Sequence, residues 1–260
     1  MLLCSNNNDT KIEANMDRIE IKTDSKLRMR VVVKHSASAA KEYAMLANLD
    51  SDRIIKPIEL RGDCIVFPES PERAANGIAC YCTEKEVWHF IRDVAEGLEY
   101  IHNKGIIHGD IKPSNVLIAD EGYIINDFDM EGDLTSFAFT PPEWSRNGEN
   151  INAKSDIWSL GASVFNLING TYIFNGRGAM LQKENTKIPS LRNDKYSEIL
   201  SETISKCMSF NSQDRPSPKE LIELSERMMK ADDVKKPKIN ISKTNISTYI
   251  HDEIWPEKMI

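Results

Sequence analysis

Asp110, Lys112, Asn115 and Asp127 share one short, otherwise apolar stretch, IIHGDIKPSNVLIADEGYIINDFD (106–129). Two carboxylates and a carboxamide offer hard oxygen donors to a divalent cation, and the lysine offers a positive charge to phosphate. Such a set suits phosphoryl transfer, where catalysis rests on positioning and charge stabilisation. The plainer alternative is that two Asp and an Asn in loops cap turns. One obstacle meets the phosphotransfer reading at once: the first glycine in the chain is Gly62. Glycines let backbone N–H groups approach phosphates closely and adopt φ > 0, so a Gly-rich phosphate loop upstream of Gly62 is excluded. The only candidate hairpin there is TDSK (23–26), whose Asp24 would repel phosphate if it pointed inward.

Other elements must hold these groups in place. The quoted stretch itself reads as two short strands around its polar residues. Upstream, RIEIK (18–22) and LRMRVVVKH (27–35) have strand character, and SASAAKEYAMLANL (36–49) has Tyr43, Leu46 and Leu49 at helical spacing. RIIKPIEL (53–60) and DCIVF (63–67) read as two more strands. After Pro68 the pattern turns helical. TEKEVWHFIRDVAEGLEYIHNKG (83–105) sets Val87, Phe90, Ile91, Val94, Leu98 and Ile101 on one face, with a Thr83–Glu86 capping box at its start and Gly105 at its end. SDIWSLGASVFNLING (155–170) is apolar enough to be buried, and residues 195–210 and 217–230 read as amphipathic helices. Residues 1–16 are polar and expected to be disordered, and 232–260 form a polar tail.

The 260 residues allow one large domain or two lobes, and 40% hydrophobic with 28% charged residues is ordinary for a soluble globular protein. A net charge of −7 with scattered Lys and Arg argues against nucleic acid as a partner. The basic run VKKPK (234–238) reads as a solvated linker. No apolar stretch approaches the ~20 residues of a membrane span. The opening MLLCSNNND lacks the regions of a signal peptide. The five cysteines (4, 64, 80, 82 and 207) show no framework spacing. Cys80 and Cys82 lack a matching pair, so no metal site is expected there, and the expected compartment is reducing and intracellular.

In order along the chain, these pieces resemble the protein-kinase superfamily over residues 18 to 230. HGDIKPSN stands where that family has its catalytic loop, and INDFD where it has the metal-binding Asp-Phe-Gly. TPPEW resembles the Ala-Pro-Glu segment, SDIWSLG the central helix of the large lobe, and QDRPS the site of the arginine that pairs with the Ala-Pro-Glu glutamate. The resemblance implies an α+β, two-lobed protein-kinase-like fold. A small antiparallel-sheet N-lobe with one helix would occupy 17–67, and a larger, mainly helical C-lobe 68–231. It implies that Asp110 orients the attacking hydroxyl and accepts its proton, and that Lys112 steadies the transferring phosphoryl group. Asp127 and Asn115 would bind Mg²⁺ (or Mn²⁺). VVVK (31–34) resembles the strand motif whose lysine meets the ATP phosphates, which makes Lys34 that lysine and Glu42 its helix partner. Only seven residues separate them, so the helix must begin almost directly after the strand. Val32 and Leu117 would bound the adenine slot. Ser136 and Phe139 would shape the activation segment, with Ser136 hydrogen-bonded to Asp110 and Lys112. Glu143, Arg215 and Asp156 would be structural.

The chain departs from the family pattern at several points. Besides the missing glycine loop, Val32 stands where alanine is usual, and its extra methyl groups cost ~1–3 kcal/mol in a tight slot if nothing relaxes. Asp129 replaces the glycine of Asp-Phe-Gly, and Gly109 replaces the arginine before Asp110. Lys112 within DIKPSN has the Ser/Thr-kinase form. The implied activity is transfer of the ATP γ-phosphate to a protein Ser/Thr hydroxyl, with weak nucleotide binding. Two alternatives stand beside it: a non-catalytic pseudokinase that regulates a partner kinase or its substrate, and a small-molecule phosphotransferase like the aminoglycoside and choline kinases, where His-Gly-Asp is common. The implied partners are a protein substrate or partner kinase, with no nucleic acid and no membrane span, and the implied location is cytoplasmic, with the nucleus also open.

Overall fold

The computed structural model describes residues 18–69, 75, 83–120, 122–128, 136–144, 151–176, 187–189, 191 and 195–235. The sequence expectations for residues 1–16, Cys80–Cys82, Asp129 and most of the tail lie outside the described residues.

The sheet begins as a hairpin in which β1 (Arg18–Asp24) and β2 (Met29–His35) pair antiparallel from Arg18↔His35 to Asp24↔Met29. The turn closes on Asp24, whose Oδ1 accepts the N–H groups of Lys26 and Leu27, each at 2.9 Å. Its other carboxylate oxygen pairs with Arg61. Asp24 is therefore buried at the far end of β2 from Lys34. Five residues of strand make that separation about 16 Å. The TDSK turn neither covers nor repels a ligand beside Lys34, which corrects the expectation from sequence.

β3 (Glu59–Arg61) and β4 (Cys64–Pro68) complete a four-stranded antiparallel sheet in the order β1-β2-β4-β3. Strand alternation sorts its faces. Val31 and Val33 are buried against Val66 on one face, while Val32 and Lys34 project to the other. The expected strand over 53–60 is reduced to its last two residues, and the observed strand runs Glu59–Arg61. Pro57 cannot donate to a ladder, and the residues before it pair elsewhere: Ile125 N–H donates to Arg53 O at 2.8 Å, and Ile55 N–H to Ile125 O at 3.0 Å. This segment thereby joins the small sheet to the large lobe. Three residues separate β2 from α1 (Ala39–Leu46), whose buried stripe is Ala39, Glu42 and Leu46. A glutamate thus occupies a position that helical periodicity reserves for an apolar residue.

In the large lobe α2 (Glu84–His102) has the expected capping box: Thr83 Oγ1 accepts the Glu86 N–H at 3.3 Å, and Glu86 Oε2 accepts the Thr83 N–H at 2.6 Å. β5 (Val116–Ala119) and β6 (Gly122–Ile125) form a separate hairpin against α2. α3 (Ala153–Asn169) runs through the core, α4 (Glu198–Cys207) packs on it, and α5 (Pro218–Lys235) lies along α2. α5 continues past residue 231 because nothing before Pro237 breaks it.

The hairpin meets α2 at Gly122, which has φ +131° and whose added Cβ would stand 2.1 Å from Asp93 Oδ2. Fully buried Asp93 accepts the Tyr123 N–H at 3.0 Å and pairs with Arg92 at 2.6 Å and Arg53 at 3.2 Å. Gly122→Ala combines a strained backbone with displacement of a buried, fully engaged carboxylate. We expect it to cost at least about 2 kcal/mol, read as a lower urea midpoint at unchanged slope. An unchanged midpoint would contradict this packing.

Candidate active site

Lys34 projects from β2 beneath the sheet, and its Nζ lies 2.9 Å from Glu42 Oε2 and 2.6 Å from Asp127 Oδ1. Three separate elements therefore meet at one ammonium: a strand, a helix and the loop after β6. Glu42, only 2% exposed, also accepts the Phe128 N–H through Oε1 at 3.2 Å. Burial by itself would push the Lys34 pKa down. The flanking Asp127 and Glu42 carboxylates reverse this and hold it above its ordinary value. Burial likewise raises the Glu42 carboxyl, against the pull of Lys34. One cation between two carboxylates leaves the triad one negative charge in excess, which favours an added cation.

Asp127 has φ +63°, a left-handed conformation that costs a non-glycine residue about 1–3 kcal/mol, although Asp tolerates it better than most. The next residue, Phe128, is buried and its ring lies 4.7 Å from that of His108. His108 Nε2 in turn contacts Asn126 O at 3.1 Å. The strained turn is thus held from both sides.

The loop before β5 carries the other groups. Asp110 Oδ2 lies 3.0 Å from Lys112 Nζ and accepts the Asn115 side-chain N–H at 2.9 Å, while the same Nδ2 donates to Asp110 O at 3.0 Å. Asp110, Lys112 and Asn115 are all buried. Fully buried Asp156 fastens this loop from below, accepting the N–H groups of His108 at 3.0 Å and Gly109 at 2.8 Å, and contacting His102 Nε2 at 2.7 Å. Gly109 has φ +78°, which costs glycine nothing. Arg215 holds Glu143 in a bidentate pair at 2.5 and 2.7 Å, and Ser155 Oγ donates to Glu143 Oε1 at 2.8 Å.

The remaining sequence candidates are less tightly drawn in. Val32 is half-buried on the Lys34 face. Leu117 opens onto a cavity of about 830 Å³, shared with Ile54, Pro68, Tyr100 and Ile124. Among the described residues neither Lys34, Asp110 nor Asp127 lines that cavity, so it is separate from the charged cluster. Phe139 is buried, with Tyr172 edge-on at 5.8 Å, and its carbonyl accepts the Ser159 hydroxyl at 2.9 Å. The Ser136 side chain, and its expected bond to Asp110 and Lys112, lie outside the described residues.

Sequence reasoning passed over Ile19 and Ile21. Ile19 pairs with Lys34 and Ile21 with Val32, and directly paired side chains share a face. Both isoleucines are largely exposed, 65% and 59%, on the side where the triad lies. The signal lies in the alternation of RIEIK, where the two isoleucines fall on one face of the strand. Asn115 Oδ1 and the Asp127 carboxylate supply hard oxygen donors of the kind Mg²⁺ takes, so the donor set fits that ion.

A sequence model of the protein kinase domain matches residues 10–225. The serine/threonine-protein kinase stk11 of Xenopus laevis is 28% identical over 189 residues, covering 61% of this chain and 43% of that protein. The serine/threonine-protein kinase ppk11 of Schizosaccharomyces pombe is 32% identical over 148 residues, covering 51% of this chain and 47% of that protein. The MAP kinase kinase MKK1/SSP32 of Saccharomyces cerevisiae is 29% identical over 164 residues, covering 54% and 32%. The chain spans less than half the length of these curated relatives. The domain match runs through the small sheet, the charged cluster and the first part of α5, and the chain belongs to the protein kinase domain family.

Proposed function

We propose that the protein transfers the γ-phosphate of ATP to a serine or threonine hydroxyl of a protein substrate. The observation that carries this reading is the Lys34 ammonium held between Glu42 and Asp127. A pre-aligned lysine of this kind meets phosphate without a further rearrangement of α1. Ile21 and Val32 form an apolar roof on the same face, suited to a nucleobase. Asp110 keeps Oδ2 on Lys112 and Asn115, so its Oδ1 remains to accept the hydroxyl proton. Lys112 lies beside that carboxylate and offsets charge on the phosphoryl group in transit. Asn115 spends its N–H groups on Asp110, which leaves the carbonyl oxygen, together with Asp127, for Mg²⁺. When bound, Mg²⁺ neutralises phosphate charge. A protein rather than a small-molecule acceptor is supported by the family and by the Glu143–Arg215 pair that secures the segment around Phe139.

A thermal-shift titration with ATP and Mg²⁺ tests this. A hundredfold excess over Kd should stabilise the fold by about 2.7 kcal/mol, and Asp127→Asn should lose the part that depends on metal. Equal shifts for the two proteins would overturn the assignment. The glycine-free chain before Gly62 favours a second reading, a non-catalytic domain that binds a partner kinase. That reading expects no shift with ATP and either metal.

A further inference from the structure

The face of the small sheet turned away from Lys34 carries a second cluster of chemically capable side chains. His35 and Cys64 pair directly across β2 and β4, so their side chains share this outer face. Asp63 precedes Cys64 in the turn between β3 and β4, and its carbonyl accepts the Ser36 N–H at 3.1 Å. Backbone hydrogen bonds thus fix all three residues relative to one another. One donor atom from each, a ring nitrogen, a thiol sulfur and a carboxylate oxygen, lies within 4.8 Å of the other two. Donors on a tetrahedral Zn²⁺, with bonds of about 2.0–2.3 Å, stand about 3.3–3.8 Å apart. Closing the gap needs about 1 Å of side-chain adjustment, within the reach of rotamer changes.

A separate observation points to a ligand. His35 Nε2 is shielded from solvent and has no hydrogen-bond partner among the described residues. Its nearest acidic neighbour, Glu20 Oε2, is 3.9 Å away, too far for a hydrogen bond. A buried imidazole nitrogen left unpaired is costly, and a metal ion would satisfy it. We infer that His35, Asp63 and Cys64 form a three-residue site for a borderline transition-metal dication of the Zn²⁺ type, with solvent as the fourth donor. A nitrogen, a sulfur and a carboxylate oxygen suit Zn²⁺ and not Mg²⁺. Binding replaces the Cys64 thiol proton, releasing one H⁺ for each metal bound. The site would staple β2 to the β3–β4 turn, beside a second hydrophobic cluster whose buried members among the described residues are Val31, Val33 and Val66. His35 adjoins Lys34 in the chain, so the staple would also steady the strand from which Lys34 projects.

The test titrates the metal-free full chain with Co²⁺, read by thiolate-to-metal charge transfer in the near ultraviolet, and then displaces Co²⁺ with Zn²⁺. We expect one equivalent of Co²⁺ bound with a tetrahedral spectrum, no competition from a thousandfold excess of Mg²⁺, and a higher melting temperature with Zn²⁺. Cys64→Ser should abolish the charge-transfer band, and His35→Gln should weaken binding at least tenfold. Circular dichroism checks that each variant is folded. If one variant fails that check, the other and Asp63→Asn carry the comparison. No band in the wild type, a band that persists in Cys64→Ser, or undiminished affinity in His35→Gln would overturn the proposal.

Discussion

Asp110→Asn should lower phosphate transfer to a Ser/Thr protein substrate by about 10²–10⁴-fold, the range that a positioned general base contributes. The change is nearly isosteric. The new side chain keeps one oxygen for Lys112 and Asn115, which now hold Asp110 at 3.0 and 2.9 Å. The loop is also fastened from below through Asp156, so the fold should survive. In the proposed mechanism, what disappears is the basic oxygen that would face the acceptor hydroxyl. In the proposed reading nucleotide contacts centre on Lys34 rather than Asp110, so the ATP-dependent thermal shift should match that of the wild type. Transfer within threefold of wild type would remove Asp110 from the chemistry. A variant that lost transfer and the ATP shift together would reassign Asp110 to binding.

Arg215→Met should cost about 3–5 kcal/mol of stability, because it leaves a half-buried carboxylate without its counter-ion. Arginine has five N–H donors, and Arg215 has five acceptors: Ser209 O for Nε, Glu143 Oε1 and Lys154 O for Nη1, and Glu143 Oε2 and Phe210 O for Nη2. Its plane also lies over Trp158, with Cζ 5.1 Å from the ring centroid. Methionine fills much of the volume but satisfies none of these groups. At about 2–4 °C per kcal/mol, the melting temperature should fall by about 6–20 °C.

The pH dependence gives a second reading of the same variant. Burial opposes ionisation of Glu143, but the Arg215 hydrogen bonds and charge outweigh it, so the folded pKa lies below the ordinary 4.5. A depressed carboxyl contributes stability that is present above its unfolded pKa and lost as pH falls through the folded one. Without Arg215, burial is opposed only by the Ser155 and backbone hydrogen bonds, so the pKa rises from its wild-type position and protonation relieves the variant. The stability gap between the two proteins should therefore narrow below about pH 4.5. A gap that widens in acid would contradict the pairing.

Periodicity and motif order made the large lobe legible. α2 carries its apolar face and its Thr83–Glu86 cap in plain sequence, and the loop around Asp110 and Asp127 is marked by residue types that chemistry restricts. The small sheet was harder, because short strands depend on what they pair with. RIIKPIEL has strand composition, yet its first half pairs with Ile125 from another lobe, a contact across more than sixty residues that no local pattern encodes. The TDSK turn misled for a similar reason: Asp24 is neutralised by Arg61, which is remote in sequence and adjacent in space. Ile19 and Ile21 were visible as an alternating pair, but which face they occupy follows only from the register with Lys34.

The packing of α5 along α2 also has a consequence in time. α2 ends at His102, and α5 begins only at Pro218. At about 5–20 residues per second, a ribosome needs about 6–23 s to deliver the second helix after finishing the first. During that interval the part of the α2 surface destined for α5 has no partner from its own chain. The β1–β2 hairpin, whose paired residues are at most seventeen apart, can close long before. The hairpin is therefore positioned to form while the chain is still being made, and consolidation of α2 in the large lobe waits for α5.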